Sequence, residues 1–123
     1  MKYLVLVAFL PFATIAYSQK MIKLEDVSKH VGDSVRVCGK VYGIRYMEQA
    51  KNSPTLINIG GAYPNQKLTV VIFGDVRKKF EKTPEELFKD KEICVTGRIE
   101  MYKGKEQVVV GERGNIIGNN ILL

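Results

Sequence analysis

The sequence has no tryptophan, a single histidine and only two cysteines. With so few of these residues, the fold must rest on an apolar core rather than on a metal or several disulfides. No apolar run reaches the roughly 20 residues that a membrane-spanning helix needs. Repeats of the collagen, coiled-coil and low-complexity kinds are also missing. The 123 residues are enough for one domain and too few for two.

The residues that are present indicate a folded domain with a moderate positive charge. Apolar residues make up 46% of the chain and charged residues 26%, which argues against intrinsic disorder. The formal net charge of +6 favours anionic partners such as nucleic acid, lipopolysaccharide or phospholipid head groups. The excess is far below that of a histone, so charge alone selects no partner.

Residues 1–18 have the pattern of a cleaved export signal. Lys2 provides the positive start, an uncharged apolar run follows, and Ala16 and Ser18 provide small residues for a signal peptidase. We expect cleavage near Ser18, before Gln19, and a single periplasmic or secreted domain over residues 19–123. No transmembrane segment would remain after cleavage. The alternative is a retained anchor or a buried helix.

Alternating apolar residues predict a first strand over residues 34–44. Val35, Val37 and Val41 share one face, and the residues between them share the other. Strict alternation would bring Arg45 into the core, so the strand must shift its phase or end near Gly43. Gly39 and Gly43 are positions where a strand would bend or bulge.

Further strands are predicted over residues 55–59, 67–73, 92–100 and 106–110, with a tight turn at 102–105. Gly74 and Asp75 are expected to close the third of the five strands. Thr83, Pro84 and Glu86 form a capping box that predicts a short helix over residues 84–89. Residues 20–30 are amphipathic with near-helical spacing and lead into the first strand. The tail, residues 111–123, is expected to add a strand or a packing arm.

Three strands, a short helix and two strands joined by a hairpin are the element order of the oligonucleotide/oligosaccharide-binding (OB) fold. We therefore predict a mainly β protein, a five-stranded Greek-key OB barrel with the helix between its third and fourth strands. The similar segments Val37-Cys-Gly-Lys-Val41 and Val95-Thr-Gly-Arg-Ile99 are interpreted as places where a barrel strand coils at a glycine.

Several segments resemble those of small exported bacterial OB-fold proteins of the nucleic-acid-binding, tRNA-anticodon-domain-like kind. They are Val35-Arg-Val-Cys-Gly-Lys-Val41, Thr55-Leu-Ile-Asn-Ile-Gly60, Tyr63-Pro-Asn65, Leu68-Thr-Val-Val-Ile-Phe73 and Val95-Thr-Gly-Arg-Ile-Glu-Met-Tyr-Lys-Gly-Lys105. The resemblance covers about residues 31–117. It implies a ligand face on the second and third strands, flanked by the first-to-second and fourth-to-fifth loops.

Tyrosines and cations alternate near those loops. Bases stack on aromatic rings and cations neutralise phosphates, so this composition suits a groove for single-stranded DNA or RNA, or for another polyanion. The predicted stacking residues are Tyr42, Tyr46, Tyr63 and Tyr102, and the predicted phosphate partners are Arg45, Lys51, Lys67, Lys103 and Lys105. The alternative is an envelope module in which the same face binds a protein or a glycan and the basic charge is incidental.

Cys38 and Cys94 are predicted to form a disulfide. Each lies at an outward phase of its strand, and in an OB barrel the first and fourth strands are antiparallel neighbours. Export would permit oxidation. Two free thiols or a redox pair are the alternatives, and the sequence has no Cys-x-x-Cys spacing to support the latter.

No cofactor, metal site or catalytic activity is expected. His30 has no second ligand nearby, and no pair of carboxylates stands out as a general acid and base. A degenerate nuclease is the remaining enzymatic alternative, but the acidic metal site and paired arginines of such nucleases are not recognisable in the sequence. A second basic cluster, formed by Arg77, Lys78, Lys79 and Lys82, could bind an anion, although the glutamates beside it favour a solvated surface.

Overall fold

The computed structural model describes residues 20–118. The expected signal peptide and residues 119–123 of the tail lie outside this range. Seven strands build the fold: β1 (Lys20–Ile22), β2 (Ser34–Tyr46), β3 (Thr55–Ile59), β4 (Leu68–Ile72), β5 (Glu92–Tyr102), β6 (Lys105–Val109) and β7 (Ile116–Gly118). Two short helices, α1 (Gly74–Arg77) and α2 (Pro84–Phe88), join β4 to β5, and 3-10 turns cover Leu24–Lys29 and Arg113–Asn115.

Five of the strands close into a barrel. Their order is β2-β3-β4-β6-β5, and pairing between β2 and β5 completes the ring. Only β4 and β6 run parallel within the ring; the other pairs are antiparallel. This topology confirms the predicted OB barrel. Outside the ring, β1 lies parallel to β2 and β7 antiparallel to β5.

The two longest strands turn the corners of the barrel at equivalent glycines. β2 pairs with β5 up to Lys40 and with β3 from Val41, while β5 pairs with β2 up to Arg98 and with β6 from Ile99. Gly39 and Gly97 each lie two residues before the first residue that pairs with the new partner strand, Val41 in β2 and Ile99 in β5. A Cβ on Gly97 would lie 2.7 Å from the Val108 side chain. The similar Val-x-Gly segments therefore do mark the places where the strands coil.

The core is made of aliphatic side chains on the inward phases of the strands. In β3, for example, Ile57 and Ile59 are fully buried while Leu56 and Asn58 between them face outward and are half-buried. Alternation of this kind packs one face of each strand against the barrel interior. Other fully buried side chains include Leu68, Ile72, Ile93, Ile99 and Val70.

The predicted conflict at Arg45 is resolved by a shift of phase. Val41 pairs with Ile59 and Gly43 pairs with Asn58, so Tyr42 is an extra residue in β2. Such a bulge reverses the alternation. β2 therefore continues to Tyr46, and Arg45 stays exposed on the outside of the barrel.

Some boundaries differ from the predicted ones. In the amphipathic stretch only Leu24–Lys29 is helical, and Lys20–Ile22 instead adds to the open edge of β2. Gly74 and Asp75 begin α1 rather than simply ending a strand. The Thr83 hydroxyl accepts a hydrogen bond from the Glu86 amide at 3.3 Å, which confirms Thr83 as the helix cap, and α2 ends at Phe88. The tail provides β7.

Candidate nucleic-acid interface

A row of uncharged polar side chains crosses the outer face of β3, β4 and β6. The strand register aligns Asn58 with Thr69 and Thr69 with Gln107, and all three are half-buried. Neighbouring strands lie about 4.8 Å apart, so the three side chains form a continuous row of hydrogen-bonding groups. We call this row the polar floor. The Gln66 amide donates a hydrogen bond to the Thr69 hydroxyl at 3.1 Å and extends the floor toward the β3–β4 loop.

Tyr42 lies beside the floor on β2, where the bulge leaves half of its surface exposed (50%). The Lys40 ammonium nitrogen lies 5.3 Å from the centroid of the Tyr42 ring, within cation–π range. Lys40 was not among the predicted site residues. The two-residue alternation that places Lys40 and Tyr42 on the same side of the strand could have identified it.

The β5–β6 turn carries a second pair of a tyrosine and a lysine. Lys103 and Gly104 have φ values of 49° and 78°, as expected for a two-residue hairpin turn. The turn leaves Tyr102 56% exposed, with the Lys103 nitrogen 5.4 Å from the ring centroid. Lys105 pairs with Tyr102 across the turn.

The β3–β4 loop, residues 60–67, carries the most exposed tyrosine of the three. Tyr63 is 76% exposed, and its peptide bond to Pro64 is cis. The ammonium group of Lys105 donates a hydrogen bond to the Pro64 carbonyl oxygen at 3.0 Å. This contact joins the β3–β4 loop to the β5–β6 turn, although they are 41 residues apart in the sequence.

These residues meet at one end of the barrel. β3 ends at Ile59, which pairs with Leu68 at the start of β4, and β6 begins at the same end because it runs parallel to β4. The structure thus brings together six of the nine predicted site residues, and Lys40 with them. We call this set the rim; it comprises Lys40, Tyr42, Tyr63, Lys67, Tyr102, Lys103 and Lys105.

The other three predicted residues lie elsewhere. Arg45 is exposed on the outer face of β2, opposite Leu56 and beyond the row of the floor. Lys51 is exposed in the β2–β3 loop, at the opposite end of β3. The four steps from Thr55 to Ile59 span about 13 Å at 3.3 Å per residue, and Lys51 precedes the Thr55 end whereas the rim lies at the Ile59 end.

Tyr46 lies at that opposite end as well, and its ring is already covered on one side. The Arg77 guanidinium carbon is 3.6 Å from the Tyr46 ring centroid. The same guanidinium donates hydrogen bonds to the Thr55 hydroxyl at 2.8 Å and to both Glu85 carboxylate oxygens at 2.8 and 2.7 Å. One face of Tyr46 is therefore taken up by a packed, hydrogen-bonded contact.

This arrangement also corrects the interpretation of the second basic cluster. The Arg77 side chain is only 13% exposed and is bound to Glu85, so it is not part of a solvated surface. Hydrogen bonds from Arg77 lower the pKa of the Glu85 carboxyl, and the same bonds raise the pKa of Arg77. Lys78, Lys79 and Lys82 remain exposed.

The predicted disulfide is present between Cys38 and Cys94, which are direct partners in the β2–β5 pairing. It lies on the outward phases of both strands and links the two strands that close the barrel. Among residues 20–118, no three histidine, cysteine, aspartate or glutamate side chains are grouped as metal ligands would be. No helix in this range has the length and hydropathy needed to cross a membrane.

Topology and core together define an OB-fold protein. No protein-family model matches the chain, and no curated protein matches it in sequence. Solved structures do match. The OB domain of Ta0387 from Thermoplasma acidophilum aligns with a TM-score of 0.50 and 19% identity, covering 85% of this chain and 91% of that domain.

Two larger proteins contain a similar unit. A chain assigned as an aspartyl-tRNA synthetase from Leishmania major Friedlin aligns with a TM-score of 0.57 and 13% identity, covering 90% of this chain and 23% of its own. A chain of the S. pombe Stn1–Ten1 complex aligns with a TM-score of 0.53 and 12% identity, covering 72% and 59%. This chain thus spans less than two thirds of either one. Identities this low establish the fold alone.

Proposed function

We propose that the protein is a non-catalytic binding protein for single-stranded nucleic acid, and that the ligand lies across the polar floor and the rim. The observation that supports this proposal most directly is the grouping of three exposed tyrosines with four lysines at one end of the barrel. The name of one matching protein, an aspartyl-tRNA synthetase, also refers to a nucleic acid.

The rim offers both kinds of contact that a single strand needs. Exposed aromatic rings stack on bases of any identity, and each stacked base contributes about 1–3 kcal/mol. Lysines beside those rings neutralise backbone phosphates and release counterions. In two of the three cases the cation already lies within cation–π distance of its ring, so each tyrosine and its lysine present a base contact and a phosphate contact together.

The polar floor supplies hydrogen bonds between those contacts. Asn58 and Gln107 each carry an amide donor and an acceptor, and Thr69 carries a hydroxyl. Such groups can bind base edges, which single strands expose and duplexes hide. Glu100 pairs with Gln107 in the register and is exposed at the β5 side of the floor. Its negative charge would repel phosphate, so the strand is expected to pass on the rim side of Glu100.

The test is fluorescence anisotropy of residues 19–123 with labelled single-stranded DNA and RNA over a salt series, with heparin as a polyanion control. We expect saturable binding that weakens with salt and that heparin competes for only poorly. Replacing Tyr102 or Tyr63 with alanine should weaken binding roughly five- to 150-fold, the range that corresponds to one stacked base.

Matched controls come from the opposite end of the barrel. Lys51→Met should bind as the wild type does, whereas Lys103→Met should weaken binding and reduce its salt dependence. All variants are compared only after thermal melts show that they are folded. Absence of binding at low salt by folded protein would refute the proposal and direct the search to protein or glycan partners; equal loss in Lys51→Met and Lys103→Met would refute the assignment of the rim.

We further propose that the chain is exported and cleaved near Ser18. The disulfide supports this because such bonds persist in oxidising compartments. The mass of the mature protein, recovered outside the cytoplasm, is expected to correspond to an N-terminus at Gln19. A full-length, uncleaved chain would contradict it.

A further inference from the structure

We infer that Lys105 acts as a positioning residue, which holds the β3–β4 loop so that Tyr63 can stack on a base, and is not itself a phosphate contact. This inference rests on the proposed function for its ligand. It assigns Lys105 a different role from the other rim lysines, and that difference can be measured.

The position of Tyr63 is set by its loop rather than by the packing of its own side chain. Its side chain is 76% exposed, so its own packing does little to fix its place. The base of the loop is anchored: the Gly60 amide donates to the Lys40 carbonyl at 3.0 Å and the Lys67 amide donates to the Ile59 carbonyl at 2.9 Å. The tip of the loop, residues 62–65, is farther from these anchors and needs contacts of its own.

Two hydrogen bonds reach the tip. One is local, from the Asn65 amide to the Ala62 carbonyl at 2.7 Å. The other is the bond from the Lys105 ammonium to the Pro64 carbonyl, at 3.0 Å, and among the described residues it alone ties the tip to another part of the barrel. Pro64 directly follows Tyr63. Lys105 pairs with Tyr102 across the β5–β6 turn. Through its bond to Pro64, Lys105 therefore controls where the Tyr63 backbone lies relative to Tyr102.

The ammonium group of Lys105 is engaged by the loop backbone. An ammonium group has three donors, and one of them is used by Pro64. As long as this hydrogen bond is made, the Lys105 ammonium nitrogen stays beside the Pro64 carbonyl of the loop. Lys103, by contrast, is exposed, makes no side-chain hydrogen bond within residues 20–118, and lies over the Tyr102 ring. The structure therefore assigns the phosphate contact of this turn to Lys103.

Substitutions at Lys105 separate the two roles. Lys105→Gln keeps an N–H donor and removes the charge, while Lys105→Met removes both. A positioning role predicts at least a fivefold loss for Lys105→Met and a smaller loss for Lys105→Gln, whose donor is one bond shorter, with a slope of log K against log salt that changes little in either. A phosphate contact predicts that both variants weaken binding and reduce the slope by about 0.7, as one lost contact to a single strand should. Lys103→Met is the reference variant, because the loss of a phosphate contact should both weaken its binding and reduce its salt slope.

A double-mutant cycle tests whether Lys105 acts through Tyr63. Once Tyr63→Ala has removed the ring, Lys105→Met should cost little more, so the two losses should not add. The same substitution combined with Tyr42→Ala should give additive losses, because Tyr42 lies on β2 and is not held by the loop. Additivity with both tyrosines would overturn the positioning role.

A measurement on the free protein keeps the inference separate from the proposed function. The Asn65 amide, which donates to the Ala62 carbonyl, should exchange faster in Lys105→Met, should accelerate less in Lys105→Gln, and should not change in Lys103→Met. If the wild type binds no nucleic acid but the exchange follows this pattern, the proposed ligand is wrong and the role of Lys105 in ordering the loop stands. Unchanged exchange in Lys105→Met would overturn the inference.

Discussion

At the scale of single residues, the position of Leu24 depends on two glycines that lie beneath it. A Cβ on Gly39 would collide with the Ile59 side chain and lie 2.9 Å from Leu24, and one on Gly60 would lie 2.6 Å from Leu24. Gly60 also has a φ of 81°, which side chains disfavour. The absence of side chains at these two positions lets the N-terminal 3-10 turn pack against the end of the barrel that carries the rim.

Gly39→Ala is expected to lower the free energy of unfolding by about 1–3 kcal/mol, because an added methyl overpacks the space between Ile59 and Leu24. Urea denaturation measures the change. Gly111→Ala is the matched control, since no atom lies within 4 Å of a Cβ built there. Equal effects of the two substitutions would show that the close packing at Gly39 does not matter to stability.

Residue-level predictions from the sequence succeeded where alternation alone decides the side on which a residue lies. Val35, Val37 and Val41 are buried as expected. Tyr46 shows the limit of this reasoning, because its neighbour Arg77 comes from 31 residues further along the chain. No local pattern reports that a guanidinium will cover a particular ring.

At the scale of elements, the Arg77–Glu85 pair fixes the two short helices to each other and to β3. Arg77 lies at the end of α1, Glu85 in the first turn of α2 and Thr55 at the start of β3, and Arg77 contacts both of the others. A carboxylate and a guanidinium joined by two parallel hydrogen bonds form a strong and directional contact. Helices of four and five residues have little stability of their own, so this contact contributes to their positions.

Stability is expected to depend on pH through Glu85. The pKa of the Glu85 carboxyl is lower in the folded protein than its ordinary value of 4.5. Its contribution to stability is therefore complete above that value and is lost as pH falls through the lower, folded pKa. Glu85→Gln should lower stability by about 1 kcal/mol at pH 7, and this difference should shrink toward pH 3. Thermal melts of both proteins from pH 3 to 7 provide the measurement.

Glu86→Gln is the control for that series. Glu86 lies on the same helix, is exposed and has no ion pair within the described part of the chain. Its substitution should leave the pH dependence of the melting temperature unchanged. If Glu85→Gln and the wild type have the same melting temperatures from pH 3 to 7, the role given to the Arg77–Glu85 contact is contradicted.

Element boundaries were predictable where side chains mark them. The capping box placed the start of α2 at Pro84, and the glycine-containing turn placed the β5–β6 hairpin. β1 was not predicted as a strand, because three residues form a strand only when an open edge, here that of β2, supplies their hydrogen bonds. The Lys105–Pro64 bond, which joins two loops, was equally invisible to local patterns.

At the scale of the whole molecule, the disulfide links the two strands whose pairing closes the ring. Cys38 and Cys94 are 56 residues apart, so the bond encloses β3, β4 and both α-helices within one covalent loop. A crosslink of this length restricts the unfolded chain much more than it changes the folded one. Both cysteines occupy outward phases and lie outside the main core cluster, although Cys94 itself is buried.

Cys38→Ala combined with Cys94→Ala is therefore expected to leave a folded, cooperative domain that is less stable by about 2–4 kcal/mol. Guanidinium denaturation of the variant and of reduced wild type should give the same lowered midpoint. Circular dichroism before denaturation checks that the β structure is retained. An unchanged midpoint would show that the disulfide does not stabilise the domain. Loss of the folded state without denaturant would show that the apolar core cannot fold the domain without the disulfide.

The sequence by itself determined the order of the five barrel strands and of α2, the inward faces of those strands and the pairing of the two cysteines. Alternation, capping and turn chemistry are local properties, and the OB topology then fixes which strands are neighbours. The make-up of the site was decided only by the tertiary structure. Closure of the barrel brings the β3–β4 loop to the β5–β6 turn and carries Lys51 and Tyr46 to the other end. Residues far apart in the sequence become one surface only when the ring closes.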